Sequence, residues 1–319
     1  MRARSRALAA VLSMVASACS LCACRSDIRS YVIHQDVKEL DNYLSPPKYR
    51  GVDVARVSPR VYTVRVAHQR TLFVVDDDGV IVFDPLSTEA THHLSAAIQK
   101  VAPGRPIKTL VYTHYHLDRA SGGASLSPRD VIAHEGCRAR WQELGATAAT
   151  VVQPTTWLTG DTELQAKGVS VRLLHLPRAH TETLFAVHLP AERVLFTADL
   201  GWVRALPPFG YPDAYAPGVE AALARLAQLD FDVFVPGSFE VGTKRDLLDW
   251  QAMFLRGRTL ARAALAPHGG RFPVEREPLL RAFDTVYQPL RAEYGEWHGF
   301  TDMSGYFVLR LLEGEASGH

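Results

Sequence analysis

Residues 113–123, Thr-His-Tyr-His-Leu-Asp-Arg-Ala-Ser-Gly-Gly, constrain this chain more than any other segment. His114 and His116 stand one residue apart and Asp118 follows two further on, so two imidazoles and a carboxylate share one small loop. Neutral imidazole nitrogens and carboxylate oxygens are the donors of a catalytic zinc site. The stretch just before, Ile107-Lys108-Thr109-Leu110-Val111-Tyr112, predicts a buried strand. Sites of α/β proteins sit at the carboxyl ends of strands, so the run points to a fold class and a metal together. Arg119 stands where a third histidine would extend the site to two metals.

Strand signals recur on both sides of this loop. Val61 to Val66, Thr71 to Val75 and Val80 to Phe83 read as strands, the last two joined by a hairpin turn at Asp78-Gly79. Thr88 to Val101 reads as a helix stopped by Pro103-Gly104. Val131 to His134 is a short strand and Cys137 to Leu144 a short helix. Val169 to Leu176 and Leu184 to Leu189 read as strands framing His180. Pro217 to Leu229 and Leu247 to Leu265 are amphipathic helices. Beyond Pro267-His268-Gly269-Gly270, a helix over Glu277 to Tyr294 precedes a strand-like Tyr306-Phe307-Val308-Leu309.

Five segments in order resemble the metallo-β-lactamase superfamily, whose signature is His-x-His-x-Asp-His followed by glycine. They are the His114 run, Asp76 to Pro85, Arg178-Ala179-His180-Thr181, Val194 to Leu200, and Val235-Pro236-Gly237-Ser238 with Val241-Gly242-Thr243. The resemblance covers residues 55 to 260 and implies an α/β fold, a four-layer αββα sandwich. It implies His180 as the third imidazole and Asp199 as the carboxylate that bridges two metals in hydrolase relatives. Three histidines leave a zinc position open for water, whose pKa then falls toward ~7. Asp118 is either a ligand of a second metal or the acceptor that orients the attacking water; the alternative is a carboxylate capping the next turn.

The departures from the family pattern reduce the second metal site. Arg119 has no lone pair to give a metal, and Ser238 stands where the family has its final histidine. Asp118 and Asp199 alone remain, so one zinc per chain is expected. The Arg119 guanidinium between these carboxylates is a candidate substitute for the missing charge; the alternative is that it points to a surface acid. His134 and His175 read as core histidines, His92-His93 as helix surface, and Cys137 as a small buried hydrophobe. The aromatic, proline-rich loop holding Trp202, Tyr211 and Tyr215 is expected near the substrate mouth.

The amino terminus reads as a targeting segment. Arg2, Arg4 and Arg6 precede the apolar Ala7 to Ala18, which is too short to span a bilayer comfortably. Leu21-Cys22-Ala23-Cys24 resembles a bacterial lipobox, with a second candidate ending at Cys19; the alternative is an ordinary cleaved signal peptide. The expected organisation is a lipoprotein-type signal over 1–23, a tether and N-terminal extension over 24–54, the metallo-β-lactamase-fold domain over 55–265 and a helical and strand extension over 266–319. Cleavage before Cys24 leaves 32 basic and 34 acidic residues. That balance gives no reason to expect nucleic acid. Of the cysteines Cys24 and Cys137 then remain, and lipidation of Cys24 excludes an internal disulfide.

The sequence thus predicts an exported, lipid-anchored zinc hydrolase on the periplasmic side of the membrane. Its small-molecule substrate carries an ester, lactone, lactam or thioester-like bond. Asp118 and Arg119 are the candidate catalytic residues, and His114, His116, His180, Asp118 and Asp199 the candidate metal residues. Two rivals share the fold: a ligand-binding or sensor protein without turnover, and an isomerase or lyase using zinc as a Lewis acid.

Overall fold

The computed structural model describes residues 43–318 apart from residue 165. The export signal, both lipobox candidates and most of the tether lie outside the described residues. No described helix is long and apolar enough to cross a membrane.

Two sheets face one another. The first runs in chain order from β1 to β7: β1 (Val52–Arg56), β2 (Val61–Val66), β3 (Gln69–Val75), β4 (Val80–Phe83), β5 (Ile107–Val111), β6 (Asp130–His134) and β7 (Thr156–Leu158). Its first four strands pair antiparallel and β4 to β7 pair parallel. The second contains β8 (Thr162–Leu164), β9 (Val171–His175), β10 (Phe185–Leu189), β11 (Val194–Thr197), β12 (Val233–Pro236) and β13 (Gly242–Thr243), in reverse order across the sheet. Only β11 and β12 pair parallel in this sheet.

Side-chain alternation builds the layers. Leu72 and Val74 of β3 with Ile81 and Phe83 of β4 meet Phe185, Val187 and Phe196 between the sheets. Their neighbours Phe73, Val80 and Val82 point the other way, toward Leu94 and Ile98 of α1 (Thr88–Val101). With both faces covered, these strands are apolar throughout rather than alternating. After α1 come the single turn α2 (Leu117–Ala120) and α3 (Gly136–Leu144), whose Trp141 joins the same outer layer. The other outer layer packs α4 (Ala216–Ala227), α5 (Lys244–Leu265), α6 (Arg276–Tyr294) and α7 (Phe300–Ser317) on the second sheet. The result is the four-layer αββα sandwich.

One expectation changes near the carboxyl end, and the amino-terminal extension takes a definite place. Tyr306 to Leu309 is not a strand but the middle of α7. Phe300, Met303, Phe307, Val308, Leu311 and Leu312 are buried at helical spacing, a period invisible in a four-residue window. The described part of the expected tether packs on the domain instead of spacing it: Tyr43 and Tyr49 are buried in the helical layer, and residues 52–56 form the edge strand β1. The Tyr43 hydroxyl donates to the Leu206 carbonyl at 2.7 Å.

Candidate metal centre

The carboxyl ends of β5, β9, β11 and β12 open at one rim of the sandwich, and the loops that follow them carry the polar residues of the site. His114 and His116 leave β5, with His116 preceding the first turn of α2. His180 lies between β9 and β10, Asp199 follows β11 and Ser238 follows β12. Sites 66 to 124 residues from His114 are thereby joined; His114, His116, His180 and Asp199 offer donor atoms all within 4.8 Å of one another.

Each imidazole turns a particular nitrogen inward. His180 Nε2 lies 3.1 Å from His116 Nδ1, and His114 Nε2 lies 3.3 Å from Asp199 Oδ2. The same Asp199 oxygen stands 3.8 Å from His180 Nε2. The outer nitrogens of two rings are engaged elsewhere. His114 Nδ1 meets Thr113 Oγ1 at 3.0 Å, and Thr113 donates from both its hydroxyl and its backbone N–H to the buried Asp84 carboxylate at 2.7 Å. His116 Nε2 lies 3.3 Å from Asp213 Oδ2. Burial, with the neighbouring imidazoles His114 and His116, pushes His180 down to about 3, so its ring is neutral at neutral pH.

This donor set fits a divalent metal. His114 Nε2 is buried and makes no well-directed hydrogen bond, only the 3.3 Å approach to Asp199, a costly state for a polar atom and one a cation relieves. Three imidazole nitrogens and a carboxylate are a zinc-type set, and the outer contacts of His114 and His116 are of the kind that fix ligand rings in place.

On the opposite side of Asp199 lies Arg119, 2% exposed. Its Nη2 donates to Asp199 Oδ1 at 2.9 Å and to Ser238 Oγ at 3.4 Å, and its Nη1 donates to the Arg70 carbonyl at 3.0 Å. Burial alone would raise the pKa of Asp199, but the Arg119 guanidinium and the imidazoles outweigh it and hold the carboxylate well below the usual range. Asp199 therefore turns one oxygen to the imidazole cluster and the other to a guanidinium. Asp118 is not among the converging donors. Its exposed carboxylate accepts from Gln69 Nε2 at 2.8 Å and stands 3.6 Å from Arg119 Nε. These two attractions draw it toward the guanidinium and the cleft rather than the imidazoles.

A family model described as the metallo-beta-lactamase superfamily matches residues 65–238. The chain belongs to this superfamily. It is 32% identical over 190 residues to the alpha subunit of 2,4-dinitroanisole O-demethylase from Nocardioides sp., covering 57% of this chain and 56% of the relative. To the beta subunit of the same name it is 27% identical over 205 residues, covering 62% and 63%. The match thus spans less than two thirds of either relative. Among solved structures, a metallo-beta-lactamase from Pontibacter korlensis superposes with a TM-score of 0.55 at 22% identity, over 64% of this chain and 99% of its own. An inverting sec-alkylsulfatase from Pseudomonas sp. superposes with a TM-score of 0.63 at 15% identity, over 84% and 50%. These two superpositions speak for the fold alone.

A cleft of about 240 Å³ opens over the cluster, with Asp118, Arg119, His116 and His180 on its floor. Leu44, Trp202, Pro208, Phe209 and Pro212 contribute an apolar wall, so the aromatic loop does border the site. His68 and Gln69 reach the cleft from the tight β2–β3 turn, and Asp213 from the loop after β11. None of these three stands out in the sequence. A histidine-glutamine pair between two apolar runs is the available signal for the first two; Asp213, between Tyr211 and Tyr215, carries none. Burial, assisted by the Arg119 charge, pushes His68 down to about 4. The histidines read as core are so placed: His134 stacks on His175 with ring centres 4.2 Å apart, away from the cluster.

Proposed function

We propose that this protein is a hydrolase with one resident zinc ion, held by His114, His116, His180 and Asp199. The convergence of four donors within 4.8 Å carries the reading. When bound, zinc supplies Lewis acidity and lowers the pKa of water toward neutrality. The chain's own residues provide the rest. Thr113 and Asp213 hold the rings of His114 and His116 from outside. Asp118, steadied by Gln69, offers an exposed carboxylate oxygen at the cleft floor to orient the attacking water and accept its proton. Arg119 keeps Asp199 ionised and in place. The wall of Leu44, Pro208, Phe209 and Pro212 receives an apolar or aryl group of a small substrate and excludes water from it.

The scissile bond is that of an ester, lactone, lactam or thioester. A second reading, cleavage of an activated aryl ether, is favoured by the likeness to both 2,4-dinitroanisole O-demethylase subunits and by the aromatic wall. Protein stripped with chelator and reloaded with Zn²⁺ should hydrolyse 4-nitrophenyl acetate under the first reading and 2,4-dinitroanisole under the second. Binding of such aryl compounds without turnover, in zinc-loaded protein, would replace the hydrolase with a sensor. The arginine start and cysteine cluster further support export with lipidation at Cys24. Cys24→Ala should move the protein from detergent to aqueous fractions; wild-type protein already in the aqueous fraction would remove the anchor.

A further inference from the structure

The carboxyl-terminal helices reach the metal centre through one loop. Between Asp199 and α4 the chain makes a tight path in which Arg204, Phe209 and Tyr211, none of them glycine, adopt left-handed backbone angles with φ of 45°, 54° and 69°. Such conformations persist only where surrounding contacts dictate them. The contacts come from the segment beyond residue 266. Leu206 N donates to the His298 carbonyl at 3.0 Å and His298 N donates to the Arg204 carbonyl at 2.8 Å. Phe209 N points to Met303 Sδ at 3.3 Å. Gly210 lies so close to α7 that an added Cβ would come within 2.5 Å of the Tyr306 backbone.

The tip of this pinned loop touches three ligand residues. The Tyr211 ring stacks on His180 with centres 5.3 Å apart and planes 17° apart, and its hydroxyl donates to the Asp199 carbonyl at 2.6 Å. Asp213 Oδ2 lies 3.3 Å from His116 Nε2, the nitrogen on the far side of the ring from the cluster. A carboxylate at a ligand's outer nitrogen fixes the tautomer and the ring orientation, and its loss costs about 10–100-fold in metal affinity. We propose that Asp213 is the positioning residue for the ligand His116, and that α7 sets the centre's metal affinity by holding the loop that delivers it. This rests on the metal-site reading above but not on any hydrolytic activity.

The experiment is Zn²⁺ titration of the full chain against a competing chromogenic chelator, with no substrate present. Asp213→Ala, a half-exposed change, should weaken zinc by about 10–100-fold with little change in melting temperature. Asp213→Asn keeps an acceptor oxygen without its charge and should fall between. Gly210→Ala alters no ligand, yet should weaken zinc in the same direction by pushing the loop off α7. The double variant Gly210→Ala/Asp213→Ala should lose less than the two separate losses combined, because both act on His116. If Asp213→Ala binds zinc within twofold of wild type, Asp213 is not a positioning residue; fully additive losses would overturn the route through the loop. A wild-type chain that binds no zinc would overturn the metal site itself and this inference with it.

Discussion

Asp199 divides the site into two halves that solve the same electrostatic problem differently. On the Oδ2 side, three imidazoles turn lone pairs toward a position that suits an exchangeable cation. On the Oδ1 side a cation is already present, covalently part of the chain, as the buried guanidinium of Arg119. In the proposed reading the first half gains its charge from solution and loses it to acid or chelator. The second cannot be unloaded, because a guanidinium stays protonated throughout the accessible pH range. In the proposed one-zinc reading the fixed charge takes the place of a second metal, and it brings no open coordination position. That favours a single activated water over chemistry needing two metals to hold attacking and leaving oxygens.

The imidazole half should fail completely when one ligand is removed. His116→Ala is expected to leave purified protein without metal and without activity, read by elemental analysis and a hydrolysis assay. Asp199→Ala should leave most of the metal on the three imidazoles. Two tightly held metals in wild-type protein would break the comparison at once.

The guanidinium half should show its value as stability. Arg119→Ala strands Asp199 and leaves the Arg70 carbonyl without its donor, and should destabilise metal-free protein by about 3 kcal/mol in urea denaturation. Zinc should recover part of that loss, since it also compensates Asp199. The solvent-facing Arg193, paired with Asp230 and Asp232, is the contrasting case: Arg193→Ala should change stability far less than Arg119→Ala does. Equal costs at the two arginines would show Arg119 to be an ordinary ion pair.

Converting one half into the other is the next step. Arg119→His with Ser238→His restores the donor types of the two-metal pattern at positions already next to Asp199. The double variant should bind two zinc ions per chain by elemental analysis. One zinc ion would mean that the second half lacks space or orientation for a metal, whatever its residues.

The two halves were also unequally legible in sequence. His114, His116, His180 and Asp199 lie at strand ends in a recognisable order, and short apolar, β-branched runs bounded by turn residues place those strands. Arg119's departure from the pattern was visible, and so was its choice between two carboxylates. Its contact with Ser238, 119 residues away, needed the strands β5 and β12 to bring their ends to one rim. Asp213 was hidden for another reason. Its path to His116 depends on left-handed residues held by α7, and Phe209 and Tyr211 carry no local signal for that backbone. The Tyr306 to Leu309 segment reads as a strand for the same lack of range, its helical period emerging only across Phe300 to Leu312.

A third carboxylate, far from the centre, gives the smallest and cleanest comparison. Asp76 sits in the β3–β4 turn, its Oδ1 accepting from the backbone N–H groups of Asp78 and Gly79, its Oδ2 accepting from Lys108 Nζ at 2.7 Å. Burial works against its charge, but Lys108 and the backbone donors prevail and hold its pKa below the ordinary value. Like Asp199 it is a shielded carboxylate beside a fixed cation, but no imidazole faces it. Because the folded carboxylate stays ionised at a pH where the unfolded one has begun to protonate, its contribution is complete above about pH 4 and lost as pH falls through the folded value. Asp76→Asn should therefore cost about 1–2 kcal/mol at pH 7, shrinking toward zero in strong acid, with no change in zinc affinity. Urea midpoints for wild type and variant from pH 7 down to pH 2 would show it. A gap that stayed constant with pH would mean that the turn is held by shape and not by the carboxylate's charge.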